Sequence, residues 1–186
     1  MRFLIRLKAP KFEKESFLQA VKSIARTLGV DPRNPKWTSH GALELDIFCP
    51  SRADFDLFMS ALGPIAGPEF VRDLNVLPPH KEEGEIFAEA RDLFNAERYW
   101  ECHEVLEGVW RTKQGGEKSL LQGLILVCAA FVHHQKGEEA VALGVLGRAT
   151  KQLEFPEPEY GGFDVGELKT NVDGILQSRE FVGFRV

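Results

Sequence analysis

Residues 120–132 read Leu120-Leu121-Gln122-Gly123-Leu124-Ile125-Leu126-Val127-Cys128-Ala129-Ala130-Phe131-Val132. Wound as a helix, this stretch leaves no face for water, and Gln122 is its one strongly polar side chain. A helix without a polar face has to be enclosed by other helices. The run is also shorter than the roughly 20 residues that a membrane span requires. It therefore predicts the buried centre of a helical bundle, in which Gln122 calls for a hydrogen-bonding partner.

Working outward, helical periodicity fills the second half of the chain. Helices are expected at about 83–95, 99–112, 118–135 and 138–153, with Gly115-Gly116 as a turn. A loop over 155–162 precedes a last helix, opened by Asp164 and Glu167 in capping-box spacing. Upstream, Leu77-Pro78-Pro79-His80-Lys81 marks a boundary. Adjacent prolines remove two backbone donors and push the preceding residue into extended geometry. Two domains follow, 1–79 and 80–186.

The first domain alternates between period 2 and period 3.6. In residues 2–8, Phe3, Ile5 and Leu7 alternate with Arg2, Arg6 and Lys8, as in a half-buried strand. Residues 15–28 gather Phe17, Leu18, Val21, Ile24, Ala25 and Leu28 on one helical face, and Gly29 stops the helix. Trp37-Thr38-Ser39 and 42–48 flank a His40-Gly41 hairpin turn. Ser51 caps a second helix that ends at Gly63-Pro64, and 70–77 is the last strand. The expected fold class is α+β: a ferredoxin-like β-α-β-β-α-β domain, then an all-α multihelical bundle with a buried central helix.

Composition narrows the function classes. The 186 residues are 44% hydrophobic and 27% charged, with three cysteines and a net charge of −5. These proportions exclude disordered, collagen-like and disulfide-scaffold chains. No C-x-x-C pair occurs, and the N-terminus lacks the apolar stretch and cleavage site of a signal peptide, so a cytoplasmic protein with no membrane partner is expected. Residues 1–37 carry roughly +6 and the remainder roughly −11. An acidic second half repels a polyanion. RNA-recognition domains share the first domain's fold and stack bases on aromatics of the open sheet face. Here Phe3 falls in the core register and the open face offers Glu44 and Asp46, which Arg6 and Lys8 would pair. Nucleic acid is therefore not an expected partner; a homodimer or a protein partner is.

The helical half carries a composite pattern: Phe94-Asn95, then Tyr99-Trp100-Glu101-Cys102-His103-Glu104-Val105-Leu106-Glu107 and Trp110, then Leu120-Leu121-Gln122-Gly123-Leu124-Ile125 and Ala129-Ala130. With Pro158, Tyr160, Gly162, Asp164 and Val165 further on, it resembles the bacterial and archaeal family described as domain of unknown function 309, over roughly residues 83–178. The resemblance implies a helical bundle around a buried helix and brings no agreed activity with it.

The chemistry must come from the His-Glu segment. On a helical wheel Tyr99, Cys102, Leu106, Val109 and Trp110 form the buried stripe, while Glu101, Glu104 and Gly108 point away. His103 and Glu107, at i and i+4, meet on one shoulder beside Trp100. Antiparallel packing across the short turn would bring Gln122 opposite Val109, about 3 Å of rise from Glu107, with His133 and His134 about 8 Å or more from His103. Three readings follow. One is a structural histidine held by Glu107 and Gln122. Another is a divalent metal site on His103 and Glu107, a partial match to H-E-x-x-H zinc helices with Glu107 in place of the second histidine. The third is a small-molecule pocket lined by Tyr99, Trp100, Trp110, His103, Glu107 and Gln122. The helix pair over 88–110 is also similar to one tetratricopeptide unit, which would offer a groove to a peptide. Cys102 lies in the buried stripe, where a thiol is usually inert, and no phosphate-binding loop occurs. The function expected is non-catalytic ligand binding or regulation; the alternative is a metal-dependent hydrolase with His103 and Glu107 as ligands.

Overall fold

The computed structural model describes residues 1–8, 13–76 and 81–186; the 77–80 part of the expected boundary lies outside them. The chain divides into two compact units, 1–79 and 80–186.

In the first unit the order is β1 (Arg2–Leu7), α1 (Lys14–Thr27), β2 (Asp31–Trp37), β3 (Leu43–Phe48), α2 (Arg52–Leu62) and β4 (Pro68–Asp73). The strands form one antiparallel sheet ordered β2-β3-β1-β4, the ferredoxin-like split β-α-β arrangement. Alternation sorts its two faces. Phe3, Ile5, Leu7, Leu43, Leu45 and Ile47 pack against Phe17, Val21 and Ala25 of α1 and Phe55, Phe58 and Leu62 of α2. The Phe3 and Phe55 rings stack with centroids 3.9 Å apart. Ser51 caps α2 as expected, its Oγ accepting the Asp54 N–H at 3.3 Å.

The other face carries charge. Arg6 sits opposite Glu44 in the β1–β3 register, and Glu44 accepts ion pairs from Arg6 (3.0 Å) and Lys36 (2.5 Å). All three are buried. Asp46 is held by Arg2 and Asn34. The cations that neutralise these carboxylates are thus Arg2, Arg6 and Lys36, whereas the expected Lys8 is exposed.

Two strands differ from expectation. β2 spans Asp31–Trp37 and not 37–39, because Pro32 and Pro35 mask a strand pattern. The strand lies at the sheet edge, where missing donors are tolerated, and a bulge between Arg33 and Lys36 absorbs Asn34 at φ 51. β4 is Pro68–Asp73, and Leu74 and Asn75 already form a turn.

The second unit contains α3 (Glu83–Asn95), α4 (Tyr99–Trp110), α5 (Gly115–Gln135), α6 (Glu139–Ala149), a two-residue ladder of β5 (Glu159–Tyr160) with β6 (Phe163–Asp164), and α7 (Val165–Ser178). α5 packs against both α4 and α6 and buries Leu120, Leu121, Leu124, Val127, Cys128 and Phe131. By length and composition it could cross a membrane, but most of its apolar window is buried inside this unit. Gly123 makes the close packing possible: a Cβ there would lie 2.7 Å from a Leu153 methyl. Gly115-Gly116 opens α5 and does not stand outside it as a turn, with Gln114 at the N-cap position. α6 stops at Ala149, short of residue 153, and the expected 155–162 loop contains β5, which pairs with β6 just beyond it. Asp164 caps α7, accepting the Glu167 N–H at 2.7 Å.

The buried amide of α5 is Gln135 rather than Gln122. Gln135 donates to the Glu97 carbonyl at 2.9 Å, in the left-handed turn between α3 and α4. Gln122 is half-buried.

Candidate functional site on helix α4

Helix α4 is built on Tyr99, Cys102, Leu106 and Val109, which enter the core. Tyr99 stacks on Phe131 at 4.7 Å and meets Phe94 edge-on at 5.0 Å. The Cys102 thiol donates to the Ala90 carbonyl at 3.2 Å. Glu101, expected to point to solvent, is buried instead. Arg98, three residues earlier, grips both its carboxylate oxygens at 2.6 and 2.7 Å, which allows a charge to leave water.

The opposite shoulder of α4 carries the candidate site. His103, Glu104 and Glu107 each bring one potential ligand atom to within 4.8 Å of the others, the one such group among the described residues. The His103 imidazole lies parallel to the Trp100 indole, centroids 5.3 Å apart and planes 8° apart. Its Nδ1 is shielded from water and has no hydrogen-bond partner; the nearest charge is Glu104 Oε1 at 3.9 Å. The Glu107 carboxylate also takes an ion pair from Arg111 at 3.2 Å. A shielded nitrogen left without a partner costs about 1–3 kcal/mol.

Of the six residues named from sequence, the structure thus brings together Trp100, His103 and Glu107. Tyr99 belongs to the aromatic core. Trp110 is half-buried under the Lys118 ammonium, 4.4 Å above its ring, with its own indole N–H unpartnered. Gln122 makes no hydrogen bond to His103 or Glu107, so the expected imidazole–carboxylate–amide cluster does not form. The member missed was Glu104. Adjacent helical positions diverge, but this side chain, exposed and long, reaches back along the helix to His103.

His133 and His134 serve elsewhere: their Nδ1 atoms pair with Glu138 at 2.5 Å and Glu139 at 2.7 Å, joining the end of α5 to the start of α6. A cavity of about 210 Å³ lies between residues 153–158 and the first turn of α7, beside Lys169 and Glu154. None of the six lines it.

The pattern that builds α3 to α6 matches a family model, the Domain of unknown function (DUF309), over residues 87–145. In a solved crystal structure, a conserved hypothetical protein from Thermus thermophilus is 35% identical, the match covering 49% of this chain and 95% of that one with a TM-score of 0.44. This chain belongs to the DUF309 family. An uncharacterized protein of Aquifex aeolicus (strain VF5) is 25% identical over 99 residues, 53% of this chain and 30% of that protein, so the matched part spans under a third of that relative. The DUF309 match contains His103, Glu104, Glu107, Trp100 and Trp110, whereas the β-sheet unit lies outside it.

Proposed function

We propose that this protein is a non-catalytic binding protein whose α4 face takes a divalent transition-metal ion on His103, Glu104 and Glu107. The observations that carry the reading are the shielded, unpartnered Nδ1 of His103, 3.9 Å from Glu104, and the gathering of one donor atom each from His103, Glu104 and Glu107 within 4.8 Å. One imidazole with two carboxylates suits zinc, manganese or iron better than magnesium or calcium, which prefer all-oxygen sets. A cation would neutralise two like charges and give the imidazole the partner it lacks. Trp100, parallel to the ring, fixes the direction in which His103 points.

Three donors from one helix leave further coordination positions for water or for a side chain of a protein partner. With Glu104 in the donor set, α4 offers no separate carboxylate to act as a base, so binding is favoured over hydrolysis. Three buried free thiols suit a reducing compartment, and we place the protein in the cytoplasm.

Calorimetric titration of the purified protein with Zn²⁺ and with Mn²⁺ tests the reading. One equivalent should bind. His103→Ala should abolish that binding while His133→Ala/His134→Ala leaves it unchanged. Binding that survives His103→Ala, or no binding by the unaltered protein, overturns the proposal.

A further inference from the structure

Residues 179–186 follow α7 without regular structure. They are held almost entirely by side chains. Phe181 and Phe184 lie edge-on to Phe131, centroids 5.3 and 5.6 Å away, and Phe184 also packs on Phe94 at 5.3 Å. The His134 ring stacks on Phe181 at 4.6 Å, 11° from parallel. At the far end the Asn95 amide reads the backbone of Val186 twice, donating to its carbonyl at 3.0 Å and accepting its N–H at 2.9 Å. The end of α3 and the end of α5 thus form a groove with ring-sized seats and a two-bond backbone clamp. An extended Phe-x-x-Phe-x-Val segment fits it.

From this geometry we infer that the groove is a recognition site for this segment, and that a second copy of the chain can supply it, two protomers exchanging residues 180–186. The seat is identical in every copy, so exchange recreates every ring contact and both Asn95 bonds without new complementarity, which makes it a low-cost route to a dimer. The hinge favours it. Arg179 closes α7 at φ 60, its N–H bonded to the Ile175 carbonyl at 2.7 Å. This backbone region disfavours a residue with a side chain, so the turn that seats the segment is the strained point at which it would open. Val182, between the two rings, is 64% exposed and gives the departing segment an apolar flank. The surface is distinct from the α4 cation face, and the inference stands whether or not metal binds.

Two full-length variants test it. Asn95→Ala loses the clamp but keeps the segment; Phe181→Ser/Phe184→Ser loses the segment but keeps the groove. The intramolecular segment competes at an effective concentration of about millimolar, so the complementary pair is needed to reveal binding in trans. Each variant alone at about 100 µM should scatter light as a single chain of 20.9 kDa. The equimolar mixture should form a species of twice that mass, with only one of the two possible seats filled natively. Circular dichroism checks that both are folded; should the double variant unfold, Phe184→Ala, which leaves Phe181 on Phe131, takes its place. A mixture of folded variants that stays at the mass of its components overturns the inference.

Discussion

The thiols of Cys102 and Cys128 face each other across the α4–α5 contact, 3.3 Å apart and fully buried. The Cys128 thiol donates to the Cys102 sulfur, and burial, followed by that hydrogen bond, pushes the Cys128 thiol well above its ordinary range. Cys49 is also raised, again chiefly by burial. A raised folded-state value favours the neutral thiol, so this stability is present below the ordinary thiol range and is lost as pH rises through the folded value. At pH 8 the native protein should react with Ellman's reagent about tenfold or more slowly than the denatured chain, which should yield all three thiols. Prompt native reaction of Cys102 or Cys128 would contradict the packing of α4 on α5.

Gly123 sits where α5 meets the end of the α6 segment. A methyl group there would lie 2.7 Å from Leu153 Cδ2 and 3.2 Å from the Gln152 backbone carbon. Gly123→Ala would gain up to about 1 kcal/mol of helix propensity, but overpacking a close contact costs about 1–3 kcal/mol. A net loss of stability is expected in thermal melts. Leu153→Ala in the same chain should make the two effects less than additive; full additivity would mean that Gly123 is not the point of contact.

Local chemistry was legible in the sequence where one neighbour decides the outcome. Ser51 and Asp164 have side chains suited only to capping at those positions, and both cap; 83–95 shows its apolar spacing openly and emerges unchanged as α3. The buried character of α5 could be read because nearly every residue from 120 to 132 is apolar. What failed turned on burial that residue type and spacing do not show. Glu101 looks like a solvent residue until Arg98 is placed beside it, and β2 looks like a loop until the edge of the sheet excuses its two prolines. The site was half legible: spacing paired His103 with Glu107, but rotation of α5 decides that Gln135 and not Gln122 is buried, and no pattern announces how far the side chain of Glu104 bends.

Glu44 holds two cations on the charged face of the sheet. Its oxygens lie 3.0 Å from Arg6 Nη2 and 2.5 Å from Lys36 Nζ, and each of the three side chains is 5% exposed or less. Removing the carboxylate would leave the Lys36 ammonium buried beside a second positive charge. Breaking such a pair typically costs about 3–5 kcal/mol, and Glu44→Ala should lower the urea midpoint of the first unit accordingly. Asp56→Ala breaks the exposed Arg52–Asp56 pair, 62% and 56% exposed, and should change nothing measurable. Equal effects of the two substitutions would show that the Glu44 cluster is solvated.

Tyr160 gives the second unit a pH dependence of its own. Its phenol is pushed up to about 12, first by burial and then by the neighbouring Glu117 carboxylate, which favours the protonated form, with Lys113 opposing. The ring is wedged edge-on between Phe87 at 5.3 Å and Phe155 at 5.5 Å, so ionisation would place a charge in an aromatic seat. In the unfolded chain the phenol titrates near its ordinary value of about 10. The folded state therefore binds more protons between about pH 10 and 12, and stability falls as pH rises through that window. Absorbance at 295 nm follows the event: Tyr160→Phe should delete a transition near 12. The same variant should flatten the alkaline decline in stability while changing the melt at pH 7 little. A transition for Tyr160 at its ordinary value would mean that its hydroxyl is not shielded from water.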